Sequence, residues 1–270
     1  MKKLLYCGLA SLSLGLYCIK STLKEHPDGV EVFAKENIES SFACNDLITE
    51  VRSNITDVNV FYFKNKSKGL RSRGFFTNPP FFVDDKNPRI YLSLDHFDTM
   101  QSTCFHESFH AYLSLSETNL EETTGIVDLK DFVFQNSDLI PNLFSEFDFD
   151  NEFKNPIVKD LLLKLLEVYP LLSSKEFLDK FQEIANLLAE KFSDSDVLND
   201  QLIVKRIKFA LFKLKYLLSD DELIARLFTS YFYDSPDSYY GLLSSDLSEN
   251  SVFISYLTEN FPELVSDFFK

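Results

Sequence analysis

The chain has 270 residues, of which 45% are apolar, and it carries a formal net charge of -15. A chain of this size can bury a core without a structural metal or disulfides, while its negative charge repels phosphate backbones and argues against nucleic acid as a partner. Phe is frequent at 28, Gly is scarce at 7 and Trp is absent, which favours helices packed through large side chains. A short basic run at residues 63–74 is typical of a solvated loop.

Residues 1–20 have the composition of an export signal. Two lysines precede an apolar run from Leu4 to Ile19, and Lys20 follows it; this is the order of the charged and apolar regions of a signal peptide. The run is shorter than the ~20 residues of a membrane-spanning helix. We therefore expect a secreted or periplasmic protein. The alternative is an uncleaved anchor over residues 4–19, which would be the chain's one contact with a membrane.

Two cysteines, Cys44 and Cys104, lie beyond this signal. In an oxidising compartment an even number of cysteines favours a disulfide. A Cys44–Cys104 disulfide and a pair of buried free thiols are both compatible with the sequence.

The part of the chain that follows the signal predicts a small α+β unit. Residues 21–57 place apolar residues at intervals of three and four, which predicts mostly helix. Three aromatic and β-branched runs come next, separated by Gly, Pro, Asn and Asp, and they predict the strands of a small sheet. These strands are expected at residues 59–65, 74–78 and 89–94.

A helix is predicted directly after the third strand. Asp95 or Asp98 can cap its start, and the segment runs without Gly or Pro to about Leu115. Residues 145–156 predict a loop, and the remaining C-terminal helices are expected at 156–171, 174–192, 197–218, 221–233 and 251–269. The sequence thus predicts an α+β fold in three parts: a signal or anchor at 1–20, a sheet with one helix at 21–125, and a helical part at 126–270.

The segment CFHESFHAYL, residues 104–113, places His106 and His110 four positions apart. On a helix such residues share one face, so two imidazoles can bind one zinc ion, as in the H-E-x-x-H pattern. Glu107 then points to the side of the ion where a bound water would lie, and a carboxylate there acts as a general base. The alternative is a histidine pair that is solvated or satisfied within the core.

A catalytic zinc site needs a third protein ligand. The metzincin-type extension is absent, because Leu113 and Ser116 stand where a glycine and a third histidine would be. Neither His26 nor His96 has a recognisable ligand spacing, so a carboxylate is expected. The candidates are carboxylates behind the motif, which need a chain reversal, or one on a later helix: Glu121, Glu122, Asp128 and Glu222.

HESFH followed by ELIARLF resembles the gluzincin class of zinc metallopeptidases, in particular its lethal-factor-like and minigluzincin branches. The matching residues are His106, Glu107, His110, Glu222, Ala225 and Phe228. The resemblance implies that His106, His110 and Glu222 bind Zn²⁺ and that Glu107 is the general base. Alternatively, Ser219 and Glu222 form a capping box, in which the glutamate only satisfies a backbone N–H.

The resemblance also implies a side chain that steadies the oxyanion of the tetrahedral intermediate. The candidates are Tyr216, Tyr239 and Tyr240, with packing as the alternative role for each. The predicted strand RIYLSL is similar to the edge strand along which such enzymes pair an extended peptide. We therefore expect an exported zinc metallopeptidase, of the endopeptidase kind, acting on peptides or proteins. The alternative is a catalytically silent relative that serves as a binding or adaptor protein.

Overall fold

The structure is a computed structural model of the chain. It describes residues 26–27, 30–44, 55–65, 73–79, 83–115, 125–145, 147, 156–193, 198–233, 255–256, 258–259 and 262. The predicted signal at residues 1–20 and most of the predicted helix at 251–269 lie outside these residues. The predicted fold class is confirmed, because a small sheet, a helix that carries HESFH and a helical C-terminal half make an α+β protein.

The chain divides into two compact units, Met1–Ser116 and Glu117–Lys270. The first unit contains a four-stranded sheet in the order β1-β2-β4-β3. Its strands are β1 (Val30–Asn37), β2 (Asn59–Asn65), β3 (Gly74–Thr77) and β4 (Arg89–Ser93). β1 pairs with β2 and β3 pairs with β4 in antiparallel fashion, while β2 and β4 are parallel. The three strands predicted from sequence are therefore confirmed, and β1 is an additional one.

The helix predicted over residues 21–57 is wrong where the structure describes this part of the chain. Val30–Asn37 forms β1, and Phe42–Cys44 forms a single 3-10 turn. The segment VEVFAKEN alternates apolar and other residues as well as spacing them by three and four, so both periods are present. The segment forms a strand because it pairs with β2. Val30 lies opposite Asn65, and Asn37 lies opposite Asn59. Tertiary pairing of this kind commonly overrides local preference.

Stacked aromatic rings form the core of the sheet. Phe61, Phe63 and Tyr91 are almost fully buried, and Phe75 packs against them. The Phe75 and Tyr91 rings stack with centroids 4.6 Å apart, and the Phe61 and Tyr91 rings stack at 5.1 Å. All five residues of β4 are buried, so this strand lies at the centre of the unit.

Helix α1 (Met100–Leu115) follows β4 after a 3-10 turn at Leu94–Thr99. The helix predicted at this place is confirmed, but the side chain that caps the turn is that of Ser93, which accepts a hydrogen bond from the Asp95 N–H. Apolar residues of α1 are buried within the unit, among them Phe105 and Phe109, each 1% exposed. The helix packs against β3 and β4.

Two contacts hold α1 close to the rest of this unit. Cys44 and Cys104 form a disulfide with their Cα atoms 5.6 Å apart, within the range that disulfides require. Gly74 of β3 lies so near α1 that a Cβ atom there would come 2.5 Å from Cγ2 of Thr103 and 2.8 Å from the Tyr91 carbonyl oxygen. The helix is thus fixed to the 3-10 turn at Phe42–Cys44 by a covalent bond and to β3 by close packing.

The second unit is helical throughout its described part. Its helices are α2 (Ile126–Asn136), α3 (Leu139–Ser145), α4 (Pro156–Val168), α5 (Ser174–Lys191), α6 (Leu198–Leu217) and α7 (Asp220–Tyr233). The last four confirm predicted helices to within three residues at each end, and the Ser173–Glu176 capping box of α5 is formed. Sequence analysis did not predict α2 and α3, which are short and are separated by Ser137 and Asp138. No helix in the described ranges is both long and apolar enough to cross a membrane.

Candidate metal site

His106 and His110 converge on one side of α1. Their Nε2 atoms are 3.2 Å apart, and their rings meet edge to face with centroids 4.9 Å apart. Two imidazole nitrogens bound to one tetrahedral zinc ion at ~2.05 Å would be about 3.3 Å apart. The helix therefore holds the two nitrogens at a separation that suits a shared metal ion. Both residues are half-buried.

Glu107 follows the first histidine and is buried, with 8% of its surface exposed. Buried glutamates are rare unless they have a partner or a function. Its neighbours along the helix, Phe105 and Phe109, point into the core of the unit, so the helix separates an apolar face from one that carries His106, Glu107 and His110. The local sequence thus determines both the burial of α1 and the grouping of its three polar side chains.

Glu222, in the first turn of α7, joins this group. One ligand atom from each of His106, His110 and Glu222 lies within 4.8 Å of the other two. Glu222 is 1% exposed, whereas the histidines are half-buried. Two imidazole nitrogens and a carboxylate oxygen are a donor set that binds zinc and related divalent metals. These three side chains can therefore hold a metal ion.

Glu222 has a second partner, which the sequence analysis did not identify. Arg226 forms an ion pair with it one turn later on α7, and the two side chains are only 7% and 2% exposed. A buried charge needs compensation, so Arg226 gives Glu222 a structural role besides any role as a ligand. The i, i+4 spacing of the two residues is the signal that could have revealed the pair.

The capping box considered for Ser219 and Glu222 would direct the Ser219 N–H to the glutamate carboxylate. In the structure the Ser219 N–H and hydroxyl both donate to the Tyr216 carbonyl oxygen, at 3.1 and 2.8 Å. The Glu222 carboxylate pairs with Arg226. A role for Glu222 inside the protein therefore rests on Arg226 more than on the cap.

The other residues singled out from sequence have different surroundings. Asp128 is exposed in the first turn of α2 and is not in the metal-binding group found among the described residues. The His26 ring contacts the Tyr91 hydroxyl at 2.9 Å, and Tyr216 is 47% exposed on α6. Four other candidates lie in ranges that the structure does not describe: Glu121, Glu122, Tyr239 and Tyr240.

The expectation that the RIYLSL strand forms an edge is wrong. This segment is β4, which has β2 on one side and β3 on the other. Strand order depends on pairing between distant segments, and the pattern within one strand does not encode it. In the described sheet the edge strand next to α1 is β3, whose Gly74 lies against Thr103 of that helix.

Comparisons of the chain with protein-family models, with curated proteins and with solved structures give no match.

Proposed function

We propose that the protein is a zinc-dependent peptidase of the gluzincin type, in which His106, His110 and Glu222 hold the metal ion and Glu107 is the general base. The observation that carries this proposal is the grouping of the three ligand side chains within 4.8 Å. The glutamate that follows the first histidine adds a proton acceptor to the metal-binding set. A structural metal site would not require that fourth residue.

The donor set fits zinc in its catalytic form. Such sites have three protein ligands of nitrogen and oxygen type, and they leave a fourth position for water. When bound, zinc lowers the pKa of its water to about 7 and polarises a carbonyl group. His106 and His110 would bind through neutral Nε2 atoms, and Glu222 would contribute one negative charge.

Glu107 has the role of moving a proton. Its carboxylate accepts a proton from the attacking water and later donates that proton to the amine nitrogen that leaves the cleaved peptide bond. The low exposure of this residue, 8%, keeps the carboxylate from being surrounded by bulk water. Removal of a general base of this kind typically slows a reaction about 10²–10⁴-fold.

The edge of the sheet suggests how a substrate is held. Because β3 lies at the edge of the described sheet and packs against α1, an extended peptide that pairs with β3 would run beside the helix that carries HESFH. Strand addition of this kind takes its affinity from main-chain hydrogen bonds. We therefore assign the binding of an extended peptide to β3, whereas the sequence had favoured the β4 segment.

Export is part of the proposal. The signal-like composition of residues 1–20 supports it, and so does the Cys44–Cys104 disulfide, because disulfides persist mainly in oxidising compartments. The protein would then act on peptides outside the cytoplasm.

The decisive test of the activity is peptide hydrolysis by the full chain with and without a metal chelator. Glu107→Gln should lower the rate at least about 100-fold while it keeps the bound metal. Glu31→Gln, which changes an exposed glutamate of the same unit, is the matched control and should cleave at the wild-type rate.

Two results would reject the peptidase. One is cleavage by Glu107→Gln at the wild-type rate. The other is a wild-type chain that binds zinc but cleaves no member of a broad peptide library, and that result would favour the silent adaptor.

A further inference from the structure

Helix α6 has two distinct faces in the described structure. Five buried residues at helical spacing form its core face: Ile203, Ile207, Ala210, Leu214 and Leu217. A second set of residues, also three and four positions apart, lies on an adjacent face. These are Leu202, Lys205, Arg206, Phe209 and Lys213. The second face is unusual because cations alternate on it with apolar side chains, and Leu202 and Phe209 are 47% and 64% exposed.

This mixed face lines a cavity of about 280 Å³. Its remaining walls are Ala210 of the core face, Leu143 at the end of α3, and Phe147 just beyond that helix. Leu143, Phe147 and Ala210 are all less than 10% exposed, so the floor of the cavity is apolar and belongs to the core. Three cations, Lys205, Arg206 and Lys213, stand among the side chains that line it.

The charge of α6 contrasts with that of the chain. Helix α6 contains five cationic residues and one acidic residue, Asp200, whereas the whole chain has 27 cationic and 42 acidic residues. Three of the five, Lys205, Arg206 and Lys213, line the cavity. A local concentration of positive charge in an acidic protein attracts anions to that place.

We propose that this cavity binds a single-chain amphiphile with an anionic headgroup. The apolar floor would take the hydrocarbon part, and Lys205, Arg206 and Lys213 would take the headgroup through charge-assisted hydrogen bonds. The volume is just below the usual range for small-molecule pockets, which suits one acyl chain or ring and excludes a folded partner. Carboxylate and phosphate headgroups share this chemistry.

Calorimetric titration of the full chain with decanoate, decyl phosphate and decanol, each below its micelle concentration, tests the site. At least one of the anions should bind at one site per chain at least about tenfold more tightly than decanol, and the tighter anion identifies the headgroup. The variant Lys205→Gln with Arg206→Gln should weaken the binding of that anion at least about tenfold, because it removes two charged hydrogen-bond donors.

Lys208→Gln is the matched control, because Lys208 is exposed on the same helix but does not line the cavity. It should leave the affinity within about twofold of wild type. Ala210→Leu should fill the cavity and abolish binding of decanoate and decanol alike. Circular dichroism and the unfolding midpoint show which variants fold, and either of the two pocket variants is sufficient for the test.

Three outcomes would overturn the proposal. The first is equal binding of decanol and both anions, and the second is an effect of Lys208→Gln as large as that of the double variant, which would indicate general attraction of anions. The third is binding to vesicles that contain anionic phospholipid without binding to the single-chain anions, which would make this face a membrane surface. None of these results depends on the metal site, so the peptidase is tested separately.

Discussion

The two units of the chain position their candidate ligands in different ways. In the Met1–Ser116 unit, the Cys44–Cys104 disulfide joins α1 to the 3-10 turn at Phe42–Cys44, and α1 also lies in close contact with Gly74 of β3. In the Glu117–Lys270 unit, α7 is held by apolar side chains and by an ion pair of Asp220 with Lys130 of α2, and a second ion pair, Arg226 with Glu222, lies within α7 itself. The first arrangement is covalent and steric, whereas the second is apolar and electrostatic.

This difference shows which interactions fix the position of each candidate ligand. Helical geometry places His106 and His110 on one face of α1, so a change that leaves α1 helical should keep the two imidazoles close together. The Glu222 carboxylate also forms an ion pair with Arg226, so the position of Glu222 depends on that pair. The carboxylate of Glu222 should therefore respond to substitutions that leave the histidines unaffected.

The largest effect is expected from breaking the buried ion pair of α7. Arg226→Met leaves the Glu222 carboxylate buried without its charged partner, and loss of one member of such a pair costs about 3–5 kcal/mol. Urea unfolding in the presence of chelator measures this change in the free energy of unfolding. Lys164→Met is the matched control, because the Lys164–Asp160 pair has the same i, i+4 spacing but is 67% and 62% exposed; it should change the free energy of unfolding far less, because solvent screens an exposed pair. Equal costs for the two variants would contradict the electrostatic account of α7.

The covalent restraint of α1 gives the next effect. Replacing both Cys44 and Cys104 by Ser opens a loop of 60 residues, for which the loop-entropy model gives about 4 kcal/mol and the usual range is about 2–5 kcal/mol. Urea unfolding should show this loss in the double variant, and a reductant should produce it in the wild type. If the reductant destabilises the double variant as much as the wild type, the disulfide is not what stabilises this unit.

A smaller effect is expected where β3 meets α1. Gly74→Ala places a methyl group against Thr103 and the Tyr91 carbonyl oxygen, and overpacking of this kind costs about 1–3 kcal/mol. Adding Thr103→Ala should restore only part of the stability, because the contact with the backbone of Tyr91 remains. Full recovery in the double variant would mean that the helix contact alone limits this position.

The smallest effect concerns a buried tyrosine of the sheet. Burial, with repulsion from Glu36 adding to it, raises the pKa of Tyr62 from 10.0 to about 12, and its hydroxyl donates to Glu36 and contacts Ser41 Oγ at 2.6 Å. Because the folded protein holds this proton more tightly than the unfolded chain, the stability it contributes is complete below pH 10 and is lost between about pH 10 and 12.

The measurement for Tyr62 is the free energy of unfolding as a function of pH, for wild type and Tyr62→Phe. The variant should lose about 1 kcal/mol at neutral pH, because the hydrogen bonds of the hydroxyl are removed. Its stability should also fall less steeply above pH 10. Parallel curves for the two proteins over that interval would show that Tyr62 does not titrate differently on folding.

The predictable parts of the fold are those that local sequence determines. The helix at Met100–Leu115 follows from an uninterrupted helical pattern, and the start of α5 follows from the capping box at Ser173 and Glu176. β1 was not predictable, because VEVFAKEN satisfies both the helical and the strand period and is decided by residues of β2 more than twenty positions away. The central place of β4 has the same origin, since strand order is a non-local property.

The candidate site likewise combines residues that local sequence places together with one that it does not. His106, Glu107 and His110 lie within five consecutive residues, so helical geometry was enough to place them on one side of α1. Glu222 is 112 positions beyond His110, and its grouping with the histidines depends on the tertiary structure. The ion pair of Glu222 with Arg226 is, by contrast, local, because the two residues are four positions apart on one helix.

Zinc binding by the full chain tests the central claim most directly. Titration against a competing chelator should give about one zinc ion per wild-type chain, and His110→Ala should bind none. Glu222→Gln should weaken binding by more than about 100-fold, since loss of even an outer partner costs 10–100-fold, while Asp221→Asn, the matched control on α7, should bind as the wild type does. A wild-type chain that binds no zinc, or a Glu222→Gln variant with wild-type affinity, would contradict the account.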